Sequence, residues 1–311
     1  MKHVLTLGEA LGVIRTTETL ATAASLGAGV GGAELNVAIG LARLGTGVTW
    51  LGRVGADGLG RRVVRELRAE GVDVIAPVVD QPTGLLLKER DALGRTVITY
   101  HRSGSAGSTL NAADLGAVDW STFGVLHLTG ITPALSGSAA TTVTEAVRRA
   151  QNAGLTISFD VNHRSRLWSA EAATPVYREL AARSDVLFAG LDEAALLVGD
   201  PTSDPWDTVK ALGSLGPSTV VLKLGERGAL ARSGEGRARA SAVRVDVVDT
   251  VGAGDAFVAG YLAELTRDRP LTECLETAVA AGAAVCRVPG DWEGAITRAE
   301  LAAEVTDPVV R

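Results

Sequence analysis

Residues 84–103 read GLLLKERDALGRTVITYHRS. Two extended runs flank a turn at Asp91-Ala92-Leu93-Gly94 with no helical periodicity between them, so the stretch predicts an antiparallel hairpin. Most of the remaining chain has a different rhythm. Short β-branched runs at 3–8, 48–53, 124–129, 155–160, 185–189 and 219–224 alternate with apolar-periodic stretches at 33–44, 57–70, 138–153, 171–183 and 206–214. That alternation is the pattern of βαβ units around a mainly parallel sheet flanked by helices, an α/β fold. The hairpin does not join such a sheet easily, and a second extended segment, 12–17, follows the first strand closely. Both are therefore placed in a small β-sheet lid, although an ordinary edge hairpin has the same pattern. A lid covers a site from which water must be excluded. No linker, repeat or low-complexity tract divides the chain, so 1–311 is read as a single domain.

The 311 residues include 37 glycines, roughly one in eight against a usual ~7%, with no fibrous repeat. At 46% hydrophobic and 21% charged, the chain can bury a sizeable core. Net charge is −6 and the 30 Lys and Arg are scattered, which argues against nucleic acid as a partner. The apolar run before Glu9 is too short for a secretory signal, and no stretch approaches the ~18 apolar residues of a membrane span. A cytoplasmic protein with no membrane association is expected. Cys274 and Cys286 read as buried thiols in a reducing compartment rather than as a disulfide or metal ligands.

The strongest chemical constellation is VVDTVGAGDAFVAGYLAEL, residues 247–265. Gly252 and Gly254 let the backbone turn tightly before a helix that Asp255 opens, leaving N–H groups as a concave nest at the positive end of the helix dipole. That suits a phosphate or a developing oxyanion. A carboxylate beside a phosphate site makes sense if Asp255 is a general base taking the proton of a hydroxyl that attacks phosphorus. Alone, the turn also suits a plain helix start with Asp complementing the dipole.

Gly27, Gly29 and Gly32 satisfy G-x-G-x-x-G and precede a helix, which raises a nicotinamide-dependent dehydrogenase, but no good strand leads directly into them. No Gly-Lys pair exists, so P-loop chemistry is ruled out. Lys223, Gly225 and Gly228 in LKLGERGAL, 222–230, suit either a nucleotide loop or a hairpin turn. In FDVNHRSRLW, 159–168, Asp160, Asn162 and Arg164 fall at the carboxyl edge of the sheet, where open α/β sheets bind ligands. Arg164 offers a fork for a carboxylate or phosphate. Asp291, in the tight loop PGDWEG, 289–294, is a candidate ligand for a hydroxyl or cation. The four histidines show no metal-ligand spacing.

DTVGAGDAF, GGAELNVAIGLARLG and GRVGADGLG together resemble the ribokinase-like (PfkB-type) carbohydrate kinases, over nearly the whole chain. YHRSGSAGS, HLTGITPAL, FDVNHRSRLW and GDWEG are most similar to 2-keto-3-deoxygluconate kinases within it. The resemblance implies transfer of the ATP γ-phosphate, with Mg²⁺, to a sugar hydroxyl. It implies Asp255 as base and the amides of Gly252, Ala253 and Gly254 as anion hole. Gly31, Gly32, Asn36, Tyr100, His101, Arg102, Arg164 and Asp291 are implied on the sugar side. Asn162, Arg164, Lys223, Gly225, Glu226, Gly228, Gly252 and Gly254 are implied on the nucleotide side. Glu193, in a partial N-x-x-E motif with Gly190, is implied to orient hydrated Mg²⁺. A homodimer through the lid, on Leu85, Leu87 and Val97, is also expected, and the sequence leaves open a monovalent cation near Asp249. Leu86 and His101 stand where such kinases tend to have lid tyrosines, so a fructokinase, ribokinase or nucleoside kinase is the alternative. A non-catalytic sugar- or nucleotide-binding regulator is the alternative of a different class, and it predicts loss of the base or the nest.

Overall fold

The computed structural model describes residues 2–91, 93–200 and 204–306; Ala92, in the expected turn at 91–94, lies outside them. The main sheet runs in the order Gly236–Ala240, Ala229–Ser233, Thr219–Lys223, Val186–Gly190, Thr156–Asp160, Phe123–Thr129, His3–Leu7, Val48–Leu51 and Asp73–Ile75. From Thr219–Lys223 onward all neighbours are parallel, and the first two strands add an antiparallel hairpin at one edge. The expected strands sit within a residue or two of their observed bounds. Asp73–Ile75, too short to show a period, and the edge hairpin extend the sheet beyond them.

A parallel sheet covered by helices buries both of its faces. Along His3–Leu7, Val4 joins one core and Leu5 and Leu7 the other. Helices Ala33–Arg43, Gly58–Ala69, Ala253–Leu265 and Leu271–Val285 cover the first face; Gly137–Asn152, Ala170–Ala182 and Pro205–Gly213 cover the second. Ala253–Leu265 is buried from Asp255 through Glu264, as expected of a helix apolar all round. Its packing is close: a Cβ on Gly260 would lie 2.7 Å from the Thr277 carbonyl of the next helix.

A separate sheet of four strands, Gly27–Gly31, Leu11–Arg15, Gly84–Arg90 and Thr96–His101, forms the small lid. The last two are antiparallel, as the hairpin pattern predicted, and Leu11–Arg15 pairs in parallel with Gly84–Arg90. Leu11, Val13 and Leu86, with Ile98 and Tyr100, give it an apolar inner face. The strand Gly27–Gly31 corrects the sequence reading. Gly27 and Gly29 pair antiparallel with Arg15 and Val13 inside a strand, so they form no phosphate-binding turn and the dinucleotide reading falls.

Candidate active site

The carboxyl ends of Thr156–Asp160, Val186–Gly190 and Thr219–Lys223 face the N-terminus of helix Ala253–Leu265, and the lid strand Thr96–His101 leans over the gap. Between them lies a cleft of about 1190 Å³, lined by Tyr100 and Arg102 from the lid, Asn162, Arg164, Glu193 and Lys223 from the sheet edge, and the Thr250–Gly252, Gly254 and Asp255 segment.

Gly252 caps the helix in a left-handed conformation (φ +77°), and a Cβ there would lie 1.7 Å from the Asp291 carbonyl oxygen. Only glycine fits. The Ala253 N–H donates to the Thr250 carbonyl at 3.3 Å, so the expected trio of open amides is corrected to two, Gly252 and Gly254. Asp255 stands in the first turn, 7% exposed. Its two carboxylate oxygens accept from Asn36 Nδ2 at 2.8 Å and Asn162 Nδ2 at 3.3 Å. Burial pushes its carboxyl above the ordinary range, against those amide bonds and the nearby Arg164 and Lys223 charges. Asn36 Oδ1 is enclosed with no partner, an acceptor held open beside the carboxylate.

On the opposite wall, Lys223 Nζ lies 2.6 Å from Asp160 Oδ1 and 3.8 Å from Glu193 Oε2. The two carboxylates hold the ammonium charged, while burial pushes Asp160 up. Glu193 also accepts from the N–H of Gly190 at 2.6 Å and of His163 at 3.1 Å, so it caps helix Leu191–Val198 and clamps the Asn162–Arg164 loop. Both acids are engaged yet face the cleft, which suits contact with a hydrated Mg²⁺ through water. Among the described residues no group of three His, Cys, Asp or Glu is placed to hold a metal unaided.

The two arginines expected at an acid sugar differ. Arg102 is ion-paired with Glu9, their side chains 11% and 2% exposed, and its guanidinium lies 4.9 Å over the Tyr100 ring. Burial and the Arg164 charge pull it down to about 10. Arg164 is exposed in the cleft with no side-chain partner among the described residues. Tyr100 faces inward opposite Leu86, so a lid tyrosine is present at the site; His101 pairs with Leu85, is exposed and lies on the outer face. The expected sugar contact from His101 is therefore withdrawn, because successive strand residues alternate faces.

Asp291 is buried and fills the space beside Gly31, where a Cβ would lie 2.4 Å from its carboxylate. Burial pushes it up to about 7. Gly32 caps helix Ala33–Arg43 at φ +143°, a Cβ there being 2.5 Å from the Glu9 carbonyl. Gly225, Glu226 and Gly228 form the turn between Thr219–Lys223 and Ala229–Ser233, just past Lys223. Gly228 has its own backbone reason: a Cβ would lie 2.0 Å from the Ala240 carbonyl.

Three acidic or basic positions went unremarked in the sequence. Glu9 holds Arg102, Lys88 contacts Asp249, and Glu34 is buried against the Thr129 and Thr132 hydroxyls, each at 2.7 Å, and is pushed up to about 7 by burial. The available signal was a charge inside an otherwise apolar run, as in GGAELNVAIG.

The chain belongs to the pfkB family of carbohydrate kinases, whose model matches residues 1–298. It has the ribokinase-like fold of that family's solved members. It is 39% identical over 306 residues to the 2-dehydro-3-deoxygluconokinase of Bacillus subtilis (strain 168), covering 96% of this chain and 94% of the relative. To the 2-dehydro-3-deoxygalactonokinase of Haloferax volcanii it is 34% identical, over 94% of this chain and 90% of the relative. Among solved structures, the PfkB protein of Polaromonas sp. JS666 superposes with a TM-score of 0.85 at 32% identity, over 97% of this chain and 99% of that one.

Proposed function

We propose that the protein is an ATP-dependent kinase that phosphorylates the terminal hydroxyl of 2-keto-3-deoxygluconate or a closely related acid sugar. The observation that carries this reading is Asp255: a buried carboxylate, held by two asparagine amides, beside two open backbone N–H groups at a helix N-terminus. Asn36 and Asn162 fix the carboxylate so that it meets the attacking hydroxyl, accepts its proton and leaves the oxygen free to attack phosphorus in line. The amides of Gly252 and Gly254 receive the charge that builds on the transferring group. Asn36 Oδ1 and Tyr100 face the sugar, and Arg164 supplies the cation for its carboxylate, a charge-assisted contact. Lys223, Asn162 and the turn at Gly225, Glu226 and Gly228 lie on the nucleotide side. Bound Mg²⁺ would neutralise phosphate charge, with Glu193 and Asp160 positioned to orient its water ligands.

The comparisons support this substrate class through the two ketodeoxy-sugar-acid kinases named above. Because Glu9 neutralises Arg102, the acid-sugar reading rests on Arg164. A regulator without activity would lack the base or the nest, whereas the buried Asp255 and the Gly252–Gly254 turn speak for the catalytic reading. We further propose one kinase domain over 1–311, working in the cytoplasm, where free thiols at Cys274 and Cys286 persist. A homodimer would form through the outer lid face, where Leu85, Leu87 and Val97 are half-buried.

The test is an ADP-release assay over 2-keto-3-deoxy acids, ketohexoses, ribose and nucleosides. A 2-keto-3-deoxy acid is expected to give the highest kcat/KM; preference for ribose or a nucleoside would overturn the substrate class.

A further inference from the structure

Lys88 lies on the inner face of lid strand Gly84–Arg90, and its ammonium is in ion-pair contact with Asp249 Oδ2. Both side chains are nearly enclosed, at 11% and 12% exposure. The same carboxylate accepts from the N–H of Val251 at 3.2 Å and of Gly290 at 3.3 Å. Asp249 therefore joins the two loops that meet where the Gly252 backbone touches the Asp291 carbonyl, directly behind the nest. A second lid cation, Arg15, pairs with Glu293, whose other oxygen accepts from the Asp291 and Trp292 N–H groups. The lid is thus pinned to both loops by its own charges.

A carboxylate enclosed at this point needs a positive counter-charge, and the sequence left open whether a monovalent cation supplies it. The residues present do not fit one. An ion bound at Asp249 Oδ2 would meet the Lys88 ammonium at contact range, and like charges at that separation in a poorly solvated site repel strongly. We infer that Lys88 serves as a built-in cation for the phosphoryl-transfer site: its ammonium does for Asp249 what a bound monovalent ion would do, holding the loops that form the nest. Lys88 is then a positioning residue, acting through Asp249, and the enzyme needs no added K⁺ or Na⁺. Because the charge arrives on the lid, lid placement and nest geometry are set together. This inference rests on the kinase reading above.

The wild-type enzyme is assayed with its best acceptor, the tetramethylammonium salts of ATP and buffer, and KCl or NaCl added against tetramethylammonium chloride at constant ionic strength. Its kcat should change by less than about twofold; a rise of about tenfold or more with K⁺ or Na⁺ would overturn the inference. Lys88→Gln should lose about tenfold or more in kcat without added ion, the scale on which loss of a supporting outer partner lowers activity. It should regain most of that loss with K⁺ or Na⁺, and its melting temperature should rise with the same ion while that of the wild type does not. Lys88→Gln that is fully active without the ion, or folded and inactive with it, overturns the inference. If Lys88→Gln does not fold, Lys88→Arg decides: ion-independent activity supports a built-in cation and ion-dependent activity overturns it. Absence of ADP release from the wild type with every acceptor would instead refute the kinase reading itself.

Discussion

Replacing Asp255 by asparagine separates chemistry from stability. At wild type, burial is the largest influence on the carboxyl and raises it above its ordinary value of 3.8. For an acid raised in the folded state, stability is greatest below the unfolded pKa and is lost as pH rises through the folded one. Where it is ionised, Asp255 is therefore a burden on the fold, and the neutral amide removes it. The new NH₂ must face the Asn36 or Asn162 donor, but Asn36 Oδ1 has no partner, so rotating that amide presents an acceptor in its place. The melting temperature of Asp255→Asn should stay within about 2 °C of wild type, the range of about 1 kcal/mol in a protein of this size. Losing the base should lower kcat by about 10²- to 10⁴-fold. At 1.36 kcal/mol per factor of ten, that is about 3–5 kcal/mol of transition-state stabilisation. ATP affinity, read by titration calorimetry, should be unchanged. Retention of more than about a tenth of kcat would refute the base role. Loss of activity accompanied by a large fall in melting temperature would refute the argument that the two asparagines tolerate the amide.

Elsewhere in the site, the partner of each charge sets the effect of removing it. Arg102→Gln strands the Glu9 carboxylate, whose side chain is 2% exposed, and breaking a buried pair costs about 3–5 kcal/mol; denaturation should show a clear loss that Glu9→Gln in the same chain partly restores. Arg164→Gln removes an exposed guanidinium, so its melting temperature should be unaltered while KM for an acid sugar rises about tenfold or more, as a charge-assisted hydrogen bond of ~1.5–3 kcal/mol implies. Asp291, pushed up to about 7 by burial, contributes stability that is present below its unfolded pKa and lost as pH rises from about 4 towards 7. Asp291→Asn should flatten part of that decline in scans at pH 5 and pH 8; an unchanged slope would count against its burial as the cause.

The parallel body was legible because each strand and helix carries its own period, as in the 48–53 and 138–153 stretches. The lid was half legible. Gly84–Arg90 and Thr96–His101 announce themselves by alternation, whereas Gly27–Gly31 has three glycines in five residues and little strand propensity. Its pairing with Leu11–Arg15 across a chain reversal makes it a strand. The nest and Asp255 were visible because glycine turn, helix start and acid are contiguous. The partnering of charges was not: Arg102 finds Glu9 93 residues away, and Lys88 finds Asp249 at a separation of 161. Neither pairing has a local pattern. The resemblance placed both Tyr100 and His101 on the sugar side, and only the strand pairing shows that Tyr100 is the inward residue.

If Arg164 is the cation that reads an acid sugar, acceptor preference should follow the carboxylate and depend on that one guanidinium. The most direct measurement compares kcat/KM for 2-keto-3-deoxygluconate with that for the analogue in which the carboxylate is a hydroxymethyl group, in wild type and in Arg164→Gln. Wild type should favour the acid by about tenfold or more, from one charge-assisted contact, and the variant should lose most of that preference. Equal use of both acceptors by the wild type, or a preference that survives in Arg164→Gln, would contradict it.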